Sequence, residues 1–203
     1  TRTSRRQALK ALALGAAALT LDASNLTASA TEEDETPAWK GRINHSVCRW
    51  CFNDIPLEEF CRAVKALGIP AIDLVGPKDW PVLKQHGLYS SMCNGAEINL
   101  IHGWNHTEYH ETLIKNYTEM IPLVAKAGYR NLICFSGNRN GMDDETGLKN
   151  SVAGLQKIMP LAEQHGVVII MELLNSKVDH KDYMCDKSPW GVELCKRLGS
   201  ENF

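Results

Sequence analysis

Residues 167–186 read VVIIMELLNSKVDHKDYMCD, and the first six of them decide the fold. Val167 to Met171 is an unbroken apolar run rich in β-branched residues, the pattern of a parallel strand covered on both faces. It ends abruptly in Glu172. A carboxylate in that position costs about several kcal/mol unless it is paired, metal-bound or open to a cavity. Asn175, Asp179, His180, Tyr183 and Asp186 follow within one short loop. In a protein built from strand–helix repeats, such a loop leaves the carboxyl end of a strand, where these folds assemble their sites. The competing explanation is an ordinary strand-end carboxylate held by a neighbouring Arg or Lys.

Outward from this stretch the chain alternates short strand-like runs with helical periods. Ile43–Phe52 reads as a first strand, followed by a helical face of Leu57, Phe60, Cys61, Val64 and Leu67 that ends at Gly68. Ala71–Val75 is a second strand, with a short helix toward Gly87, and Leu88–Cys93 a third. A helix from about Thr107 carries Leu113, Tyr117, Met120 and Val124 on one stripe; Leu132–Phe135 is a fourth strand. Leu148, Val152, Leu155, Met159 and Ala162 predict one continuous helix before the central strand, and Trp190–Leu198 a last helix. The segments ending at Gly128 and Gly166 each place a Pro six residues earlier, the self-similarity a repeating unit leaves.

Five strands each followed by a helix require parallel pairing and right-handed crossovers. A (β/α)8 barrel and a doubly wound open sheet both satisfy that. The tail, Gly199-Ser-Glu-Asn-Phe203, stops where a sixth strand is due and lacks a charged terminal helix to cover a sheet edge. The reading is therefore an incomplete (β/α)8 barrel of about five βα units over residues 41–203.

The chain has 203 residues, 44% hydrophobic and 23% charged, enough for one sizeable core. Its formal charge is −2, and the first thirty residues are basic, so the body is more acidic than the whole. The absence of a basic stripe argues against a nucleic-acid partner, because phosphate binding draws on clustered Lys and Arg. Most of the seven cysteines sit in apolar patterns and read as small buried hydrophobes, Cys61, Cys93, Cys134 and Cys195 among them. Cys48-Arg-Trp-Cys51 has redox or zinc spacing, but no second pair follows, and on a strand the two would face opposite ways.

Residues 1–30 read as an export address: Ser4-Arg-Arg-Gln-Ala-Leu-Lys10, an apolar run Ala11–Leu21, then Ala28-Ser-Ala30. This resembles a bacterial twin-arginine signal, which implies a periplasmic or exported mature protein that meets no membrane once the signal is removed. Residues 31–40 then read as a linker.

Ser46–Phe52, Met171–Asn175, Val178–Asp186 and Trp190–Cys195 together resemble the hydroxypyruvate isomerase-like branch of the xylose isomerase-like TIM barrels, a group that also holds sugar 3-epimerases and endonuclease IV enzymes. Lys181-Asp182 departs from the Pro-Gly expected there. The resemblance implies a divalent cation (Mn, Mg or Zn) held at the strand ends, with Glu172 as both metal ligand and proton carrier. It places Asn175 and His180 near the substrate. Moving a carbonyl between adjacent carbons passes through an enediolate, which a cation stabilises while a carboxylate carries the proton.

Arg49, expected on the first strand, is a candidate for binding a substrate carboxylate in bidentate fashion, or for a structural ion pair. His106 and His110 stand four apart on the expected helix, a weaker pair of candidate ligands. Asn138-Arg-Asn-Gly141 reads as a site-facing loop or as plain turn chemistry. The expected activity is isomerisation of a small hydroxy-carbonyl compound or sugar, with sugar 3-epimerisation, a metal-dependent nuclease and a non-catalytic sugar binder as alternatives. The expected partner is that small molecule, with self-association of the full-length chain left open.

Overall fold

The structure is a computed structural model that describes residues 43–203. The export address of residues 1–30, the linker of residues 31–40 and the first two residues of the body lie outside the described residues. Strands β1 (Ser46–Cys48), β2 (Ala71–Val75), β3 (Tyr89–Cys93), β4 (Asn131–Cys134) and β5 (Val168–Met171) form one sheet in the order β1-β2-β3-β4-β5. All pairings are parallel. Helices α1 (Leu57–Ala66), α2 (Trp80–Gln85), α3 (His110–Lys126), α4 (Asp144–Leu155), α5 (Met159–His165) and α6 (Ser188–Leu198) separate and follow the strands. Strictly sequential strand order is what a barrel wound in one direction produces, whereas a doubly wound sheet reverses at a switch point. The five strands are therefore part of a TIM barrel.

The first strand is shorter than its apolar run predicts. After Cys48 the chain turns into a 3-10 helix, Arg49–Phe52, and the Arg49 guanidinium closes that turn by donating to the carbonyls of Phe52 and of Ile55, the latter at 3.0 Å. Arg49 consequently does not lie on the strand, and it stacks over the Phe60 ring at 5.4 Å.

The predicted helix through Leu148 and Ala162 is two helices. Pro160 cannot donate an N–H to the preceding turn, so α4 ends at Leu155 and α5 opens with the proline in its first turn. Pro122, at the equivalent place in the similar segment, is carried inside α3. Both helices stop where Gly128 and Gly166 take positive φ, at 81° and 65°.

The helices cover the outer face of the sheet. Phe60 and Val64 of α1, Leu113, Tyr117, Ile121 and Val124 of α3, and Leu155 of α4 are buried with Ile72, Leu132 and Ile169 of the strands. Each such side chain contributes about 1.5–3 kcal/mol on burial. Leu67, expected on the α1 face, is 69% exposed, because it lies just past the helix end. Cys61, Cys93, Cys134 and Cys185 are buried, but Cys195 is exposed on the outer face of α6. On β5 only Ile169 is fully covered among the strand residues. Ile170 sits beside Ile133 in register and shares its face, the inner one.

Candidate active site

The carboxyl ends of all five strands contribute to one cavity of about 530 Å³. Trp50 enters from the turn after β1, Leu74 from β2, Asn94, Glu97, Ile98, Asn99 and Leu100 from the loop after β3, Ile133 and Phe135 from β4, and Glu172, Leu174 and His180 from β5 and its loop. Inner-face alternation explains the pair Ile133 and Phe135, and it carries on across the ladder to Ile170 and Glu172. Leu74 reaches the cavity differently. Its φ is +57°, and the pairing of β2 with β3 slips on either side of Asp73, so a bulge turns this leucine inward. A non-glycine residue in the left-handed region stores about 1–3 kcal/mol, a strain found mostly where a site needs it. A second cavity of about 590 Å³ adjoins the first, sharing Asn99, Leu100 and His180 and adding Ile101, Asn138, Val178, Asp179, Lys181 and Asp182.

Glu172 is half-buried, and among the described residues no Arg or Lys pairs with it. The strand-end ion pair that sequence leaves open is thus not what holds it. Burial raises its carboxyl above the usual range, and the imidazole of His180, when charged, draws it partly back. A carboxylate stripped of water in this way is a better proton acceptor than one in solvent. Its backbone is fixed: the Tyr183 hydroxyl donates to the Glu172 carbonyl at 2.9 Å and accepts from Ser136 N–H at 2.9 Å, tying the ends of β4 and β5 together.

Glu97 is the site residue that sequence reasoning missed. It lies four positions past β3, in a polar, glycine-bearing stretch with no periodicity, so only the run Asn94-Gly-Ala-Glu97 pointed to it. One carboxyl oxygen accepts from Gly95 N–H at 2.8 Å, and burial raises its pKa while hydrogen bonds from the backbone of its own turn restrain the rise.

The loop after β5 is stitched to the loop after β4. Met184 N–H donates to Gly137 O and Cys185 N–H to Ser136 Oγ, each at 2.9 Å; Arg139 N–H donates to Asp182 O at 2.7 Å. Asn140 N–H donates to Asp182 Oδ2 at 2.9 Å, so the Lys181-Asp182 departure supplies a brace. Arg139 also reaches Asp144, Asp186 and the Met184 carbonyl. The 138–141 stretch therefore does both jobs: Asn140 and Gly141 make the turn with positive φ, and Asn138 lines the adjoining cavity.

Of the residues singled out from sequence, Glu172 and His180 meet at the cavity. Asn175 is exposed, and its side-chain oxygen accepts from Lys177 N–H at 3.0 Å, a local turn outside the cavity lining. Arg49 is spent on backbone carbonyls, while its neighbour Trp50 lines the wall. His106 and His110 are held apart, at the carbonyls of Asn138 (3.0 Å) and Trp104 (2.9 Å), because a 3-10 turn precedes α3 where a continuous helix was expected. Cys48 ends β1 and Cys51 lies in the 3-10 turn, so strand alternation does not relate them; both are free thiols.

Carboxylate and imidazole suit a divalent cation in kind. In number they do not complete a shell: among the described residues no three His, Cys, Asp or Glu side chains converge to hold a metal.

A family model described as xylose isomerase-like TIM barrel matches residues 52–203, and the chain belongs to that family. No curated protein matches by sequence. Among solved structures, an AP endonuclease of family 2 from Brucella melitensis superposes with a TM-score of 0.67 at 18% identity, covering 79% of this chain and 66% of its own. The IolI protein with a bound zinc atom gives 0.64 at 13%, covering 79% and 60%. D-psicose 3-epimerase with D-tagatose from Clostridium cellulolyticum H10 gives 0.61 at 13%, covering 79% and 61%. At these identities the likeness is one of fold. The chain spans about two thirds or less of the length of each.

Proposed function

We propose that this chain carries the amino-terminal part of an isomerase or epimerase that moves a proton next to a carbonyl in a small hydroxy-carbonyl compound. The observation that carries this reading is Glu172: a half-buried carboxylate without a cationic ion-pair partner among the described residues, on the wall of the strand-end cavity. Such a group removes the proton on the carbon beside the carbonyl and returns it to the neighbouring carbon from the same face, or leaves the opposite face of the first carbon to be protonated by a second acid. The first outcome is aldose–ketose isomerisation, of which hydroxypyruvate isomerisation is one case. The second is epimerisation, the activity named for the psicose epimerase that shares the fold. His180, which borders both cavities, would hydrogen-bond a substrate oxygen in this reading. A divalent cation with Glu172 among its ligands would supply polarisation of the carbonyl and charge for the developing oxyanion.

The test is Glu172→Gln in the full-length protein. Solvent deuterium should enter wild-type substrate at the carbon next to the carbonyl, and the variant should lose about 10²–10⁴ in kcat with an unchanged circular dichroism spectrum. Near-normal exchange in the variant removes Glu172 from the chemistry. The position of the label, with the identity of the product, separates isomerase from epimerase.

A further inference from the structure

The cavity has two carboxylates on its wall. Glu97 comes from the loop after β3 and Glu172 from the end of β5. Between and around them stand the apolar side chains of Leu74, Ile98, Leu100, Ile133, Phe135 and Leu174. Glu97 is not a surface acid that happens to border a groove. Ala96 before it is fully buried, and Gly95, at φ +109°, bends the chain so that its own N–H donates to the Glu97 carboxyl at 2.8 Å. That contact occupies one oxygen and fixes the direction of the group. No Lys or Arg among the described residues forms an ion pair with it or lines this cavity; Lys181 lines the adjoining one. The remaining polar groups of the lining are the Trp50 indole, the imidazole of His180, the amide of Asn94 and that of Asn99, whose oxygen already accepts from Ile101 and His102 N–H at 2.8 Å.

We propose that Glu97 is a substrate-binding residue of this site, accepting hydrogen bonds from the hydroxyls of an uncharged polyhydroxy carbonyl compound and turning away substrates that carry a carboxylate or phosphate. A carboxylate can only accept, and a sugar hydroxyl is its natural donor. The Asn94 amide, which can both donate and accept, suits a neighbouring hydroxyl, and the apolar walls suit the C–H faces of a sugar. An anionic substrate would be brought against Glu97 and Glu172 in a partly desolvated space, where like charges repel most strongly. The inference rests on the proposed function for the position of the site, and narrows its substrate from hydroxy-carbonyl compounds in general to neutral sugars.

The experiment is calorimetric titration of the full-length protein with D-fructose, fructose 6-phosphate and hydroxypyruvate. Wild type should bind the neutral ketose at least tenfold more tightly than either anion. Glu97→Gln should weaken ketose binding about tenfold and narrow the preference, and Glu97→Lys should reverse it; circular dichroism checks each fold, and the Gln variant suffices where the Lys variant does not fold. Tighter binding of an anion by wild type, no ketose binding by wild type, or unchanged affinities in Glu97→Gln would each overturn the role given to Glu97. The two readings fail separately. Ketose binding that depends on Glu97 but shows no deuterium exchange would remove the isomerase and leave this inference, whereas exchange with unchanged ketose affinity in Glu97→Gln would do the opposite.

Discussion

Glu97 titrates in the opposite sense to the acids at the start of α4. Hydrogen bonds from Thr146 hold Asp143 below the usual carboxylate range, and the Arg197 guanidinium does the same for Glu145. Burial pushes Glu97 above 4.5. The folded state therefore binds a proton at Glu97 more tightly than the unfolded chain does. Its contribution to stability is fully present below pH 4.5 and is lost as pH rises through the higher folded pKa. Glu97→Gln should thus be the more stable protein at pH 7, with the advantage over wild type shrinking toward pH 4; urea unfolding at several pH values checks this, and a pH-independent difference would contradict it. Tyr183 makes a second residue-scale case. It is 1% exposed, and its hydroxyl serves both Ser136 and Glu172. Tyr183→Phe keeps the ring but leaves Ser136 N–H without its acceptor, a loss of about 1–3 kcal/mol. Because the Glu172 backbone is then less well held, kcat should fall together with the urea midpoint.

Among elements, the loop before α3 and the loop after β4 cross so closely that only glycines fit. Trp104 N–H donates to Phe135 O at 3.2 Å and Asn105 N–H to Ser136 O at 2.8 Å, and a Cβ on Gly103 would overlap the backbone of Phe135, Ser136 and Gly137. Backbone cannot swing aside as a long side chain can. Gly103→Ala should cost about 2–4 kcal/mol, read as a lower urea midpoint at unchanged slope. Gly191→Ala is the control: it lies in α6, and its added methyl would meet Leu173 at 3.6 Å and Cys185 Sγ at 3.7 Å, ordinary contacts. It should be neutral, or more stable by about 0.5–1 kcal/mol through reduced chain entropy. The same crossing fixes the stretch after Phe135 from which the β4 loop reaches the adjoining cavity, so Gly103→Ala should also weaken substrate binding.

At the scale of the whole molecule, β1 and β5 are the outer strands among the described residues, each paired there on one side. The β5 edge is partly met by the tail: Ile169 N–H donates to Asn202 O at 2.8 Å and Asn202 Nδ2 to Val167 O at 2.9 Å. Ile43 before β1 and Trp50 after it are 71% and 63% exposed. Unpaired edges next to apolar side chains recruit other chains. Residues 31–203 produced alone should therefore self-associate, as measured by sedimentation, and should show neither tight divalent-metal uptake nor ketose turnover. A compact, active monomer would show that these five units are self-sufficient.

Local chemistry made much of this legible in sequence. A run of β-branched residues has few ways to be buried, so Val167–Met171 was readable as a strand and Glu172 as the carboxylate at its end; glycines after apolar stripes marked α3 and α5 stops for the same reason. What sequence left undecided depended on partners distant in the chain. Pro122 stays inside a helix and Pro160 opens one, although their surroundings read alike, because packing and not propensity decides whether a missing hydrogen bond is tolerated. Arg49 turned from a strand residue into the clamp of a 3-10 turn once Phe52 and Ile55 offered their carbonyls. Strand order, the bulge at Leu74 and the meeting of Glu97 with Glu172 across one cavity follow from pairing among segments tens of residues apart. Periodicity reports only which face of an element is buried; which other segment buries it is settled by the tertiary fold.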